Sequence, residues 1–244
     1  MGIFFIKGVP AAIIEPERLL AVGDLHVGIE DKFNAAGISF PNSARALGRE
    51  IRGLCDSNRA NGVVLLGDVK HRITNLTRED MASFREFFRE LEGIRIIIAK
   101  GNHDAYIASL LGDIGAKCIV EKEILLTDCA LMHGNSLPSE DAVSKKYILC
   151  GHGHIAAQIN GIDRKAWLVA PAGEGMKDRY KNYNPAIKLV AAPAFNRLII
   201  GSRIGDGTEK HMPMLNSRIF DFKRIAVYDL YGNALKPGAG TTAK

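Results

Sequence analysis

Five short polar clusters hold most of the side chains in this chain that could bind a metal or move a proton. They are Asp24 with His26, Asp68, Asn102 with His103 and Asp104, His133, and the pair His152 and His154. Each closes an apolar run: "RLLAVGD" at 18–24, "GVVLLGD" at 62–68, "IRIIIAKGNHD" at 94–104, "CALMHGN" at 129–135 and "YILCGHGH" at 147–154. Five of the seven histidines fall in these turns, where chance would scatter them. Singly, the clusters say little. D-x-H is common, an Asp after a strand usually caps or turns, and a lone His133 reads first as a satisfied core histidine. "GNHD" and "GHGH" say more. Three consecutive polar side chains make a poor core, and histidines at i and i+2 of an extended segment share one side, with Gly153 letting the backbone bend closely. Carboxylate, imidazole and amide oxygen together form a mixed N/O set suited to manganese, iron, zinc and similar divalent ions. A ligand set of this size oversupplies one ion and suits two. Two ions about 3.5–4 Å apart need a shared ligand, for which a carboxylate is usual.

The elements that must place these residues are legible as alternating patterns. Apolar runs of this kind, bounded by turn residues, predict strands buried on both faces. Between the first three runs lie two helical stretches. Residues 42–60 put Leu47, Ile51, Leu54 and Cys55 on one face, with Asn42 or Ser43 as N-cap. Residues 77–92 do the same with Met81, Phe84, Phe87, Phe88 and Leu91, opening on Thr77 with Asp80 three residues later. Strand, helix, strand, helix, strand implies a right-handed parallel sheet, and open α/β sheets bind ligands beyond the carboxyl ends of their strands. After about residue 115 the texture changes. Strand candidates at 117–120, 123–126, 129–132, 146–149, 166–169, 187–190, 198–201 and 224–229 suggest a second, mixed sheet, with 173–186 read as a long polar surface loop. A single domain over 1–235 and a frayed tail at 236–244 complete the expected organisation.

The bulk numbers fit a globular α/β protein of 244 residues, 47% hydrophobic and 24% charged. No apolar run approaches the ~20 residues of a membrane span. The opening "MGIFFIKGVP" has neither a basic n-region nor a small-residue cleavage site, so no signal peptide is read and the cytoplasm is the expected location. Cys55, Cys118, Cys129 and Cys150 are scattered with no C-x-x-C pair, which predicts buried free thiols. Net charge is +5, and residues 161–244 carry 14 Lys+Arg against 7 Asp+Glu, whereas residues 1–160 carry 18 against 20. Such a basic third could attract phosphate-bearing ligands; without interleaved aromatics, scattered solvated charges are the plainer account.

In order and type, "GDLH", "GD", "GNHD", "H" and "GHGH" resemble the signature of the calcineurin-like metallophosphoesterases, across residues 23–154. The resemblance implies a four-layer αββα sandwich, two mixed β-sheets flanked by helices. It implies that Asp24, His26 and His154 hold one divalent ion, that Asp68 bridges, and that Asn102, His133 and His152 hold a second. Manganese is the first choice, with iron, zinc or nickel as alternatives. His103 would stand over the substrate phosphate as general acid or oxyanion stabiliser, with Asp104 orienting it. "DLHVG", the "GISFPNSA" segment, "GDVKH" at 67–71 and "APAFNRLIIG" at 192–201 are similar to a smaller branch, archaeal phosphoesterases related to the nuclease subunit SbcD and bacterial relatives found beside DNA ligases. The implied activity is hydrolysis of a phosphodiester by in-line attack of a hydroxide bridging two ions. The alternatives are a DNA or RNA nuclease and a non-catalytic protein scaffold. Nucleotides and nucleic acid are the candidate substrates, and no membrane partner is expected. Lys70 and His71, directly after the bridging position, either line the phosphate site or lie exposed in a turn.

Overall fold

In the computed structural model, which describes residues 2–235, the apolar runs fold as strands and the periodic stretches as helices. The strands are β1 (Ile3–Phe5), β2 (Ala12–Ile14), β3 (Leu19–Val22), β4 (Gly62–Leu65), β5 (Ile96–Ala99), β6 (Cys118–Glu121), β7 (Glu123–Leu125), β8 (Cys129–Met132), β9 (Tyr147–Cys150), β10 (Ile155–Ile159), β11 (Ile162–Pro171), β12 (Lys188–Ala191), β13 (Ser202–Arg203), β14 (Ala226–Asp229) and β15 (Ala234–Leu235). The helices are α1 (Glu30–Ala35), α2 (Ala44–Ser57), α3 (Arg78–Glu90), α4 (Ile107–Asp113), α5 (Glu140–Val143), α6 (Gly175–Arg179), α7 (Thr208–His211) and α8 (Pro213–Asn216). The tail expected at 236–244 lies outside the described residues.

The first sheet has the order β1-β2-β3-β4-β5-β6, antiparallel from β1 to β3 and parallel from β3 to β6. The second runs β13-β10-β11-β12-β9-β8-β7, with β14 on β11 and β15 on β14. Its β8, β9 and β12 are mutually parallel, while β7, β10 and β14 run against their neighbours on β8 and β11. Both sheets are therefore mixed, as the family resemblance implies; the first, expected from its strand–helix alternation to be parallel, gains its antiparallel part from β1 and β2.

Period-two alternation divides the strands among three cores. Leu19, Ala21, Val64, Leu66, Ile97 and Ala99 of the first sheet meet Cys129, Leu131, Leu149, Trp167 and Val190 of the second. Phe5 stacks on Trp167 across this layer, ring centroids 4.1 Å apart. The intervening residues Leu20, Val22, Val63, Leu65, Ile96 and Ile98 point the other way, onto Leu47 and Ile51 of α2, Phe84, Phe87 and Phe88 of α3, and Ile107 and Leu111 of α4. On the far side, Met132, Ile148, Cys150, Leu168 and Leu189 pack with Val143 of α5, Met176 of α6, and Met214 and Leu215 of α8. Helix, sheet, sheet, helix is the resulting layering.

The helix ends follow local chemistry. Thr77 accepts from the Asp80 N–H (3.1 Å) while Asp80 accepts from the Thr77 N–H (2.7 Å), the reciprocal capping box that the spacing predicts. At α2 the cap is looser. Asn42 Oδ1 accepts from the Ala44 N–H (2.8 Å), while the Ser43 hydroxyl turns to Glu30.

Several expectations are corrected. Residues 173–186 are not all loop: α6 buries Met176, and the Tyr180 hydroxyl donates to the Pro138 carbonyl. No strand forms at 198–201, because Asn196 turns the chain there and pairing begins only at Ser202. The N-terminal hairpin β1–β2, β10, and helices α1 and α4 were not anticipated. All four cysteines are free, with Cys118 half-buried and the others buried. Among the described residues, no helix is long and apolar enough to cross a membrane.

Candidate metal centre

The five polar clusters follow the carboxyl ends of β3, β4, β5, β8 and β9, so strands from both sheets deliver them to one edge of the sandwich. Pairing continues past β3 and β4: the N–H groups of His26 and Val27 donate to the Asp68 and Val69 carbonyls, each at 2.8 Å. Within these turns the backbone departs from ordinary conformations. Asp24 (φ 55°), His26 (43°), Asp68 (48°), His152 (66°) and His154 (40°) all adopt positive φ. Non-glycine residues are uncommon there, and such strain concentrates at functional sites.

This geometry alters one expectation. His152 and His154 lie in a tight turn, with the Gly153 N–H on the Gly151 carbonyl at 2.8 Å, so they do not share a side as strand residues would. They diverge to different neighbours. His154 Nε2 lies 3.2 Å from Asp24 Oδ1 and 3.3 Å from His26 Nε2, while His152 Nδ1 lies 3.1 Å from His133 Nε2. Two groups that could each hold a metal result, Asp24, His26, Asp68 and His154, and Asp68, His133 and His152; a third such group, His26, His71 and His103, shares His26 with the first. Asn102 Oδ1 approaches the second group, 3.1 Å from His133 Nε2. Asp68 belongs to both. Its Oδ2 is 3.7 Å from His26 Nε2 and 3.3 Å from His133 Nε2, while its Oδ1 accepts from the His103 N–H at 2.8 Å.

The donor chemistry fits cations. His133 Nδ1–H donates to the Leu66 carbonyl (2.8 Å), and His152 Nε2–H donates to the His211 carbonyl (3.1 Å). These bonds fix both tautomers, so the lone pairs of His133 Nε2 and His152 Nδ1 face one another and the oxygens of Asp68 and Asn102. Four acceptors converging in a buried site need a positive charge among them. A proton can fill the role in part. Burial opposes charge on His133, yet its hydrogen bond to Asp68 and the charges of Asp24 and Asp68 carry its pKa up to about 9. His154 is likewise raised, its bond to Asp24 outweighing burial. Burial would raise the Asp24 and Asp68 carboxyls, but these histidines hold both below the usual range. His26 goes the other way, pulled down to about 4 by burial despite the two carboxylates.

Two glycines form part of the floor. A Cβ on Gly67 (φ 77°) would sit 2.5 Å from His133 Nδ1, and one on Gly151 would sit 2.7 Å from Asp24 Oδ2. The glycines in "GD" and "GHGH" therefore make room for ligand side chains arriving from other clusters.

Around His103 the structure departs from expectation. Asp104 is fully buried, and its carboxylate accepts from the backbone N–H groups of Val69 (2.9 Å) and Gly101 (2.8 Å) rather than from the His103 ring. The ring is held by the His71 carbonyl, 2.5 Å from Nδ1, and its centroid lies 4.8 Å from that of His26. Lys70 neither lines a phosphate site nor lies exposed, since its ammonium is spent on three backbone carbonyls. His71 is half-buried with its ring beside His26 and His103, and its Nδ1 has no hydrogen-bond partner among the described residues.

Sequence reasoning missed the support beneath the Asp24 turn. Buried Asn196 donates to the Leu25 carbonyl (2.7 Å), and the Phe195 N–H donates to the Gly23 carbonyl (2.8 Å). The Lys165 ammonium reaches the carbonyls of Ala194 and Asn196, each at 2.6 Å. A polar Asn inside the apolar "APAFNRLIIG" run was the available signal. In the basic C-terminal third, Arg197 pairs with Glu50, Arg203 with Asp163 and Arg218 with Glu174.

A four-layer sandwich bearing a buried carboxylate–imidazole cluster at its strand ends has the architecture of a metallophosphoesterase. Residues 17–215 match the calcineurin-like phosphoesterases, and the chain belongs to that family. Among solved structures it is similar to the nuclease MPE of Pseudomonas putida, at 16% identity and a TM-score of 0.61, over 96% of this chain and 98% of that one. At that identity the likeness is one of fold. The phosphoesterase YfcE of E. coli is a more distant match, 19% identical over 59% of this chain and 75% of that one, with a TM-score of 0.35. No curated protein sequence matches the chain.

Proposed function

We propose that this protein is a dinuclear metal-dependent phosphodiesterase, built as one domain over residues 1–235 and acting in the cytoplasm. The observation that carries this reading is Asp68, whose Oδ2 stands between the two groups of candidate ligands. Asp24, His26 and His154 would hold one divalent ion, Asn102, His133 and His152 the other, and Asp68 would serve both; manganese is the favoured ion. When bound, the two cations would acidify a water molecule near neutral pH and offset the charge of the phosphate oxygens. The protein's own residues supply the rest. The Leu66 and His211 carbonyls keep His133 and His152 in the tautomers that present lone pairs to the site. His103, anchored through Nδ1–H on the His71 carbonyl, keeps Nε2 for the substrate; with a second proton on Nε2 (the imidazolium form) it would pass that proton to the departing oxygen and be left as the neutral Nδ1–H tautomer.

Within the family we assign the chain to the branch related to SbcD and to the DNA ligase-associated enzymes, on "DLHVG", "GDVKH" and "APAFNRLIIG". The similarity in fold to a nuclease supports a second reading, cleavage of DNA or RNA. The lack of aromatics interleaved with the basic residues of the C-terminal third weighs against it. A scaffold without catalysis finds no support in a ligand set with every member present.

Metal analysis and a substrate panel with Mn²⁺ test these alternatives. Two ions per chain and turnover of bis-nitrophenyl phosphate without cleavage of single-stranded DNA are the expected results. DNA cleavage would favour the nuclease. No turnover of nitrophenyl monoester, diester, 2′,3′-cyclic nucleotide or DNA would refute the enzyme reading altogether.

A further inference from the structure

His103 is gripped at three atoms. Its N–H donates to Asp68 Oδ1 (2.8 Å), its ring Nδ1–H to the His71 carbonyl (2.5 Å), and its own carbonyl accepts from the Lys70 ammonium (2.6 Å). The same ammonium donates to the carbonyls of Arg72 (2.8 Å) and Ile73 (2.7 Å). Lys70 is only 2% exposed, and a lysine ammonium has three hydrogens, so every donor is engaged.

A buried ammonium is an expensive way to fill space, since it gives up its hydration and a methionine of similar length would carry none of that cost. What the charge adds is convergence. Three carbonyls, two from the turn after Asp68 and one from the "GNHD" turn, are drawn to one point. Asp104 works from the opposite polarity, gathering the N–H groups of Val69 and Gly101 from the same two turns. Lysine and aspartate thus lock the loop after β4 to the loop after β5, and His103 is the chemical group at that junction.

We infer that Lys70 is a positioning residue for His103: its ammonium, through the His103 carbonyl and the turn that carries the His71 carbonyl, fixes where the imidazole Nε2 points. This rests on the proposed role of His103 as proton donor to the leaving group, and it assigns Lys70 a task distinct from binding metal or phosphate.

The test uses the metal-loaded full chain and compares Lys70→Met, His103→Ala and the double variant on two diesters. Bis-nitrophenyl phosphate releases a phenolate that needs little protonation, whereas a dinucleoside monophosphate releases an alkoxide that needs a proton. Lys70→Met is expected to retain both metals and to leave nitrophenyl turnover within about threefold. On the dinucleoside, kcat should fall about 10- to 100-fold at unchanged KM, within the range of general-acid effects. The double variant should be no worse than His103→Ala alone, the signature of residues acting as one unit. Lys70→Ala should regain dinucleoside turnover when ethylammonium is added. Equal losses on both substrates, or additive losses in the double variant, would overturn the inference. So would two variants that cannot fold with metal and are not rescued by the amine. If His103→Ala alone leaves dinucleoside turnover intact, the proton-donor role of His103 fails instead, and that outcome is read before either Lys70 variant.

Discussion

Replacing Asp68 by Asn removes one negative charge and keeps the shape. The carboxylate faces two histidines from different strands, at 3.3 and 3.7 Å, so the substitution strikes both ligand groups at once. The structure gives a scale for the loss, because a proton on His133 already samples the field that a cation would feel. Its pKa stands at about 9 against the ordinary 6.5, a rise of about 3 kcal/mol in favour of positive charge to which Asp68 contributes through its hydrogen bond and its charge, with Asp24 and the Leu66 carbonyl sharing the rest. Coulomb attraction between unit charges 3.3 Å apart at an effective dielectric near 20 is about 5 kcal/mol, which burial then reduces. The two figures agree in order. Since a divalent ion carries twice the charge, each metal should bind at least about 100-fold more weakly in Asp68→Asn. Calorimetric titration with Mn²⁺, with metal content measured after dialysis, reads both sites. His152→Ala and His154→Ala, each confined to one group, should weaken one ion far more than the other. Loss of a single ion in Asp68→Asn, with the other retained within tenfold, would refute the shared-ligand argument.

Three further predictions follow from the same geometry. In the chelated protein, His26 (down to about 4) adds stability as pH rises toward 6.5, whereas the His133 contribution, fully present below 6.5, is lost on the way to about 9. Melting temperature in EDTA should therefore peak near pH 6.5 and decline toward pH 8; a continuous rise across that range would contradict the His133–Asp68 pairing. Gly67→Ala, with φ 77° and His133 Nδ1 in the way of its Cβ, should lose about 1–3 kcal/mol in urea unfolding of the chelated protein, and an unchanged midpoint would show that the turn relaxes freely. Asn196→Ala leaves the Leu25 carbonyl without its donor, so about 1–3 kcal/mol of stability should go. Its metal defect should fall on the ion beside Asp24 and His26, and equal weakening of both ions would argue that Asn196 supports the whole fold rather than that turn.

Much of the first sheet was legible because its strands are uninterrupted aliphatic runs and its helices carry strong apolar stripes. Thr77 and Asp80 even announced their reciprocal cap. The second sheet was harder. β10 is a short "IAAQI" that follows "GHGH" without a break, and β11 opens on the polar stretch "IDRK", so only its centre looked like a strand. Helix α4 does carry a sequence signal, with Ile107, Leu110, Leu111 and Ile114 at helical spacing. For the site, residue types and strand ends located the cluster. How its members divide was not legible, because the split of His152 from His154 depends on positive φ angles that no residue pattern states. The tasks of Asp104 and Lys70 were hidden for a related reason. Their partners are backbone N–H and carbonyl groups, which every residue possesses and none advertises.

The left-handed turns also bear on how this centre can change. Asp, Asn and His are among the few non-glycine residues that tolerate positive φ, and they are also the ligands that divalent ions of this kind prefer. At Asp24, His26, Asp68, His152 and His154 the two requirements coincide, so few single substitutions can satisfy both. Asn102 and His133 carry no such constraint, as their φ angles are ordinary. On the proposed ligand assignment, evolution toward a different metal, or design for one, would have its room for variation at those two positions, on the side of the site served by β5 and β8.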